Sequence, residues 1–420
     1  MSDLKLSFII PVYRKEAILE RCIKSLLDQS LKQWEVVFVL DGPSDESKAI
    51  IHRMMMKKHP NGYKAVEIEH GGAGKARNEG AKHAKGPYRV YFDADCVIEP
   101  DTAKAWVDIL DREPETAFVY SGYKFLNEQG ALNSEPFDPW LLKVRNYISS
   151  CFPLKREFDP GWNESLKSLQ DWNFWLDVVA KGGKGKYLLG YGFSTEYPDL
   201  NSISGKGCTP DVWLERVNAV KKLHSLPDRE VCVTSVQHKQ EAIRLAKMID
   251  ADYQDSPNYK PHTYKKIIQL GFSLMPGSIE KCSENFNNSK VKNYLFWTGD
   301  DITAVYNAIN FRAILNYSIL LNGCSTQFVE DKTAKGLMEK AGFNVKVLPL
   351  PMEAKELKPL PESHRFLVDI SPTFGRAFQV IDGSLPDVKL DVLDDRQKNI
   401  DDYTGLIHFY DDKTMSSGVK

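Results

Sequence analysis

Short apolar runs that end in turn residues alternate with segments of helical periodicity along the first quarter of the chain. Residues 6–13 (LSFIIPVY) and 34–40 (WEVVFVL) are two such runs, and residues 18–27 between them repeat apolar side chains at helical spacing. Apolar runs without polar alternation are typical of strands that are buried on both faces of a parallel sheet. The pattern therefore predicts a strand, a helix and a second, parallel strand.

The same alternation continues beyond residue 40. We predict helices at residues 47–58 and 74–84 and strands at residues 65–68 and 88–92. Repeated strand and helix units of this kind build a doubly wound α/β sheet. In such sheets, ligands bind beyond the carboxyl ends of the strands, so polar residues that follow the strands are the candidates for a site.

The pattern becomes irregular after residue 117 and starts again near residue 230. A predicted helix at 211–224 precedes a turn, and we place a boundary there, which gives domains at 1–225 and 226–420. The second domain is predicted to be a further Rossmann-like α/β domain. Its predicted strands are 230–235, 294–297, 318–321, 345–348, 366–369, 389–392 and 406–410, and its predicted helices are 241–249, 304–315 and 333–341.

Charge and cysteine content narrow the classes of protein. The 55 Lys and Arg residues nearly balance the 57 Asp and Glu residues, so there is no strong signal for nucleic-acid binding. The seven cysteines are scattered without zinc-binding spacing, which favours reduced thiols and a cytoplasmic location. No apolar stretch reaches the roughly 18 residues that a membrane span needs, and peripheral association with a membrane is left open.

Polar side chains follow three of the predicted strands. Tyr13 follows the first, Asp41 ends the second, and Asp93 and Asp95 follow the strand at 88–92. Residues i and i+2 of a strand share one face, so both carboxylates could approach one hard divalent cation such as Mn²⁺ or Mg²⁺. An isolated Asp-x-Asp is weak, but its position after a buried strand strengthens the prediction. For Tyr13 and Asp41 taken alone, a turn cap is an equally good interpretation.

Four motifs, in this order, resemble those of family-two glycosyltransferases with the GT-A fold. They are residues 8–16 (FIIPVYRKE), 39–45 (VLDGPSD), 74–80 (GKARNEG) and 91–95 (YFDAD). The resemblance implies a nucleotide-sugar donor site made of Pro11, Tyr13, Glu16, Asp41, Lys75, Arg77 and Asp93, with Asp93 and Asp95 as ligands of Mn²⁺ or Mg²⁺. Leu40 stands where the family often has an additional Asp, so the base preference is open.

Residues 162–175 (WNESLKSLQDWNFW) resemble the acceptor-side segment of the same family. Asp171 matches the carboxylate that acts as catalytic base, and Gln170 stands where many members have Glu. In an inverting displacement, such a base removes the proton of the acceptor hydroxyl. The structural alternative for Asp171 is an Asp favoured at a helix N-terminus. We predict Trp175 as a core residue, and Trp172 as either core or a sugar-stacking platform.

The family often has a histidine after this helix that completes the metal or diphosphate site. Residues 197–204 (YPDLNSIS) contain none, so either Asp199 substitutes or the metal keeps more waters. The second half faintly resembles part of a GT-B glycosyltransferase, which suggests an acceptor-binding or assembly role. Isolated histidines at positions 238, 262 and 408 favour surface or core roles over catalysis.

Together these features predict a metal-dependent, inverting glycosyltransferase that uses a nucleotide-diphosphate sugar, with a UDP-sugar favoured. The acceptor is a hydroxyl on a glycan or another molecule, and its identity and the oligomeric state are not indicated. A nucleotidyltransferase would instead carry a basic Gly-rich loop after the first strand, where residues 11–14 read PVYR. A carbohydrate-binding or scaffold protein on an inactive transferase fold is the other alternative, against which intact Asp93, Asp95 and Asp171 argue.

Overall fold

The computed structural model gives the fold of two compact units, Met1–Asp228 and Arg229–Lys420. The sequence prediction placed the boundary after residue 225. The structure describes residues 4–56, 63–126, 130–196, 210–235, 238–255, 264–271, 291–298, 301–302, 305, 318–319, 321–323, 325–329, 332–348, 364–369, 388–392 and 405–408.

The first unit is built on a mixed sheet. In chain order its elements are β1 (Leu6–Val12), α1 (Glu16–Leu27), β2 (Trp34–Asp41), α2 (Asp45–Met55), β3 (Tyr63–Ile68), α3 (Ala73–His83), β4 (Tyr88–Tyr91), α4 (Thr102–Arg112), β5 (Phe118–Phe125), β6 (Ala131–Leu132), α5 (Pro139–Val144), β7 (Pro153–Lys155), α6 (Gln170–Ala180), β8 (Gly185–Thr195) and α7 (Pro210–Leu223). The strand order is β3-β2-β1-β4-β7-β5-β6, and β8 pairs with β5. Strands β3, β2, β1 and β4 are parallel, which confirms the predicted α/β fold of this part.

Helix α3 packs unusually close to β1 and β2. A Cβ added at Gly80 would lie 2.4 Å from Ile9 Cγ2 and 3.0 Å from Val39 Cγ2, so a larger residue would push the helix away from the sheet. Because α3 follows the carboxyl end of β3, its first turn begins at the edge of the sheet where ligands bind in folds of this class. The glycine thus helps to place the polar residues of α3 at that edge.

Aromatic side chains fill the core of the first unit. Trp34, Trp106 and Trp175 are fully buried, which confirms the core prediction for Trp175. Trp172 is also buried, and its ring N–H donates to the carbonyl oxygen of Leu142 at 2.6 Å. Trp172 is therefore a core residue and not a platform for sugar stacking.

The second unit contains a parallel sheet of its own. In chain order its elements are β9 (Val231–Ser235), α8 (Lys239–Met248), β10 (Asp252–Asp255), β11 (Lys266–Leu270), β12 (Lys292–Phe296), β13 (Ser325–Val329), α9 (Lys332–Lys340), β14 (Val345–Val347), β15 (His364–Asp369), β16 (Val388–Val392) and β17 (Gly405–His408). One sheet has the order β10-β9-β11-β12-β13-β14 and another has the order β16-β15-β17. All pairs in both sheets are parallel, which confirms a second α/β arrangement.

Some predicted elements of the second unit were wrong. The strand predicted at 318–321 is helical where it is described, at 318–319 and at residue 321, and the next strand is β13. Ser318 and Leu321 are buried while Ile319 is exposed, which is the spacing of one helical face. A short apolar run does not distinguish the two structures by itself. Strands β10 and β11 were not predicted, and the helix predicted at 304–315 lies, apart from residue 305, outside the described residues.

Two further sequence expectations concern membranes and thiols. Within the described ranges, no helix combines the length and the apolar character that crossing a bilayer requires. The cysteines described as free are all buried; they are Cys22, Cys96, Cys151 and Cys232.

Candidate active site

The side chain of Asp41 organises the loop between β3 and α3. Its Oδ1 accepts a hydrogen bond from the backbone N–H of Gly71 at 2.7 Å, and its Oδ2 accepts one from Gly72 at 3.0 Å. The Nδ1 atom of His70 lies 3.0 Å from the same Oδ2. Gly72 has φ +89° and is the residue that precedes α3, so the loop needs a glycine there. We call Asp41, His70, Gly71, Gly72 and Tyr13 the Asp41 cluster.

Tyr13 and His70 form an exposed part of the Asp41 cluster. The His70 ring stacks on the Tyr13 ring with centroids 4.2 Å apart and planes 16° apart. The guanidinium carbon of Arg14 lies 5.0 Å from the centroid of the same ring, and Arg14 has a positive φ of 53°. The end of β1 therefore presents a polar and aromatic surface that is accessible to a ligand with a flat ring.

Glu16, at the start of α1, is engaged by the N-terminal turn of α2. Its Oε1 accepts hydrogen bonds from Ser44 Oγ at 2.8 Å and Ser47 Oγ at 2.9 Å. The hydrogen bond from its own backbone N–H, followed by the one from Ser44, lowers the pKa of Glu16. Pro11, on β1, pairs in register with Val39. Pro11 thus lies next to β2 and Glu16 contacts the start of α2, the two elements on either side of the turn that follows Asp41.

Asp93, Ala94 and Asp95 form a turn after β4, which we call the carboxylate turn. Strand β4 ends at Tyr91, so the two carboxylates are not placed by alternation along a strand, as the sequence argument assumed. Arg77 Nη2 donates to Asp93 Oδ1 at 2.7 Å, and Lys15 Nζ donates to Asp95 Oδ2 at 2.6 Å. Each carboxylate of the turn therefore has a separate cationic partner.

Arg77 connects the carboxylate turn to the start of α6. Its side chain is buried, its guanidinium lies 4.3 Å from the centroid of the Trp162 ring, and Nη1 donates to Gln170 Oε1 at 3.3 Å. Lys75 takes a different path, since it is only partly buried and its ammonium lies 3.5 Å from the carbonyl oxygen of Glu69. Of the two predicted basic residues, Arg77 is the one that reaches Asp93.

Asp171 lies in the first turn of α6, next to the residue that contacts Arg77. Its Oδ2 accepts a hydrogen bond from Asn146 Nδ2 at 2.9 Å, and its Oδ1 accepts one from the backbone N–H of Trp172 at 2.9 Å. Burial raises the pKa of Asp171, and the hydrogen bond from Asn146 and the charge of Arg77 oppose that rise. A carboxylate with a raised pKa is a stronger base than an ordinary aspartate.

The carboxylate turn has the chemistry that a hard divalent cation requires. Asp93 Oδ2 makes no hydrogen bond with the described residues, and Asp95 Oδ1 has only long contacts, to Thr195 Oγ1 at 3.5 Å and Cys96 Sγ at 3.8 Å. Two carboxylate oxygens are thus left for a cation in one short turn. Among the described residues, no group of three or more His, Cys, Asp or Glu side chains is arranged as a metal site. Asp199 lies outside the described residues.

Three residues at this edge were not singled out from the sequence. Lys15 lies within the first motif and His70 lies before the third, but only the structure shows that they contact Asp95 and Asp41. Asn146 lies in the irregular region before β7, where no periodicity marks it. A basic residue between Tyr13 and Glu16 was the one sequence signal that could have pointed to Lys15.

Comparison with known proteins covers the part of the chain that carries the Asp41 cluster and the carboxylate turn. Residues 7–159 match the family model for Glycosyl transferase family 2. A Chondroitin synthase of Escherichia coli is 25% identical over 185 residues, which cover 42% of this chain and 26% of that protein. The Poly(ribitol-phosphate) beta-glucosyltransferase of Bacillus spizizenii is 31% identical over 137 residues, which cover 31% of this chain and 21% of that protein. The predicted family resemblance of the first half is thereby confirmed.

A solved structure gives a weaker likeness over a longer range. It is S. aureus TarS in complex with UDP-GlcNAc, which is 17% identical with a TM-score of 0.46 and covers 80% of this chain and 89% of that chain. The match to the two curated relatives spans less than a third of the length of either one. The resemblance of the second half to a GT-B enzyme stays a prediction.

Proposed function

We propose, on the premise that residues 7–159 form a glycosyltransferase family 2 domain, that this protein transfers a sugar from a nucleoside-diphosphate donor to an acceptor hydroxyl. The observation that carries the proposal is the arrangement of Asp171, Arg77 and the carboxylate turn. The buried Arg77 guanidinium pairs with Asp93 of the carboxylate turn, and its charge also acts on the partly buried Asp171 in the first turn of α6. Transfer from a diphosphate requires a base for the acceptor and positive charge for the leaving group.

The donor is expected to lie across the edge formed by β1, β2 and β4. Its base and ribose lie against Pro11, Tyr13, Glu16 and the rest of the Asp41 cluster, and its diphosphate lies near Arg77, with Lys75 close to the same loop. Asp93 and Asp95 would hold Mn²⁺ or Mg²⁺ through their uncommitted oxygens, beside the ribose. When bound, such a cation neutralises charge that develops on the departing diphosphate. A UDP-sugar is the favoured donor.

Asp171 is the proposed catalytic base. It takes the proton of the acceptor hydroxyl while that oxygen bonds to the anomeric carbon and the bond from this carbon to the diphosphate oxygen breaks. Attack from the side opposite the leaving group inverts the configuration of the sugar. The raised pKa of Asp171 supports this role, because the carboxyl gives up its proton less readily than an exposed aspartate.

The remaining proposals concern the whole chain. We place the catalytic domain at 1–225 and give 226–420 an acceptor-binding or assembly role, in a protein that works in the cytoplasm. The acceptor is a glycan or another molecule with a free hydroxyl. The relatives named Chondroitin synthase and Poly(ribitol-phosphate) beta-glucosyltransferase support transfer as the general activity and leave the acceptor of this chain undefined.

A donor screen tests the proposal. The full chain is titrated with UDP-, GDP- and TDP-sugars by calorimetry, with and without Mn²⁺, and slow hydrolysis of each donor is followed in parallel. We expect one donor to bind, and to bind more tightly with Mn²⁺. The Asp95→Ala variant should lose the effect of the metal, and Asp108→Ala, which removes a partly exposed carboxylate on α4, is the matched control. The proposal is wrong if no donor binds, or if Asp95→Ala leaves binding and hydrolysis unchanged.

A further inference from the structure

The hydrogen-bonding capacity of Asp41 is largely used within the protein. The carboxylate is 3% exposed, and its two oxygens accept two backbone N–H groups and face the His70 ring. A buried carboxylate in this position cannot be reached by a nucleobase without breaking the loop before α3. Asp41, which the family resemblance implies for binding of the base and ribose, therefore does not face solvent.

His70 faces solvent in its place. Its side chain is 55% exposed, its ring lies flat against Tyr13, and Asp41 fixes its orientation. A side chain that is exposed but held by a buried carboxylate and an aromatic ring loses little freedom when it binds a ligand. Such a residue is preorganised for recognition.

The tautomer of His70 follows from its partners. Nδ1 lies 3.0 Å from Asp41 Oδ2 and 3.3 Å from the carbonyl oxygen of Asp41, and both of these atoms only accept hydrogen bonds. Nδ1 must therefore carry a hydrogen. In the neutral ring, Nε2 then has a free lone pair, and it makes no hydrogen bond with the described residues.

We infer that His70 Nε2 is the atom that reads the base of the donor. As an acceptor, it selects a base that presents a ring N–H, as uracil does, and disfavours one that presents a lone pair at the same position, as cytosine does. Asp41 acts as a positioning residue that fixes His70 and the loop before α3. The inference rests on the proposed function, because it assigns the base of the proposed donor to the Asp41 cluster.

The test compares UDP with CDP, which differ in the base edge alone. Affinities are measured by calorimetry on the full chain, with both nucleotides in the same buffer. We expect wild-type protein to prefer UDP by about threefold to tenfold, the effect of one neutral hydrogen bond. His70→Phe keeps an aromatic ring against Tyr13 and removes the nitrogen, so it should retain CDP binding and lose the preference. His70→Ala should weaken both ligands, because it also removes the stacked ring.

Two controls separate the possible outcomes. His52→Phe changes a histidine on α2 that contacts Tyr63, away from the Asp41 cluster, and should leave the preference intact. An unchanged UDP preference in a folded His70→Phe protein overturns the inference while the proposed function stands. Absence of binding of UDP and of every donor in the screen overturns the proposed function and the inference with it.

Discussion

The Asp41 cluster and the carboxylate turn lie at the same edge of the sheet, but their carboxylates are satisfied in different ways. Asp41 is held by backbone N–H groups of Gly71 and Gly72, which the fold fixes in place. Asp93 and Asp95 are held by the ends of long side chains, Arg77 and Lys15. Backbone donors cannot leave without a change of loop conformation, whereas a lysine can rotate away.

This difference separates the two tasks of the site. The Asp41 cluster is preorganised, which suits selection of a ligand by shape and hydrogen bonding. The carboxylate turn can exchange one cation for another, which suits a region where charge changes during the reaction. The following predictions test whether binding and chemistry divide in this way.

The largest effect is expected at Asp171. Asp171→Asn should lower the turnover number by about 10²- to 10⁴-fold, because the variant cannot accept the acceptor proton, while UDP affinity changes little. Initial rates and calorimetry on the same protein separate the two effects. Asp177→Asn on the same helix is the matched control, since the Asp177 carboxylate accepts a hydrogen bond from Asn173 on its own helix and should keep normal turnover. An equal loss of turnover and of UDP affinity in Asp171→Asn would contradict the division between binding and chemistry.

A smaller effect is expected when the Asp41 cluster is broken. In Asp41→Asn, the side-chain NH₂ group takes the place of an oxygen that accepts a hydrogen bond from a backbone N–H group. The variant should lose about 1–3 kcal/mol in the free energy of unfolding and should also bind UDP more weakly. Urea unfolding can be followed by tryptophan fluorescence, because Trp297 is the one tryptophan of eight that lies outside the first unit. Asp28→Asn, at an exposed surface pair with Lys24, should change neither quantity. Normal stability with Asp41→Asn would show that the loop does not depend on Asp41.

The pH dependence of turnover should follow the pKa of Asp171. Burial raises this pKa, so as the pH is lowered, turnover should begin to fall at a higher pH than it would with an ordinary aspartate as base. Below the pKa of Asp171 in the enzyme, turnover should fall by about tenfold for each pH unit. The hydrogen bond from Asn146 lowers the same pKa. Asn146→Ala should therefore shift the acid side of the profile to still higher pH. A shift to lower pH would mean that another group controls the profile.

The smallest effect is expected on the affinity of the carboxylate turn for Mn²⁺, measured without nucleotide. Lys15→Met removes the cation that competes for Asp95, so Mn²⁺ should bind about twofold to fivefold more tightly, in the range of a partly exposed ion pair. Paramagnetic resonance of free Mn²⁺ measures this without any turnover. Lys5→Met, which removes a surface pair with Asp111, is the control. Weaker Mn²⁺ binding in Lys15→Met would show that Lys15 supports the cation site.

The parts of the fold that sequence predicted well are those where burial leaves a continuous apolar run. Strands β1 and β2 are of this kind, and both were predicted within one or two residues. Strand β13 reads STQFV, in which polar residues interrupt the run, and the apolar residues before it were taken for the strand instead. The segment STQFV is the strand because it pairs with β12 on one side and with β14 on the other, which local sequence does not reveal.

The site shows the same limit. The sequence pattern predicted that Asp41 and Asp93 lie at or just after the ends of separate strands, because strand ends can be read from local sequence. It did not reveal that Asp41 is enclosed by its own loop or that Lys15 reaches Asp95, since these contacts join residues 29 to 80 positions apart. Local pattern thus located the edge of the sheet, while the partners of each side chain required the folded chain.

The three hydrogen-bonding partners of Asp41 also bear on how this protein could acquire a new donor. A substitution at Asp41 changes the loop, the start of α3 and the orientation of His70 at once. A substitution at His70 changes an exposed ring and leaves both backbone bonds in place. Natural divergence and laboratory libraries that seek altered nucleotide use should therefore find viable variants at position 70 and few at position 41.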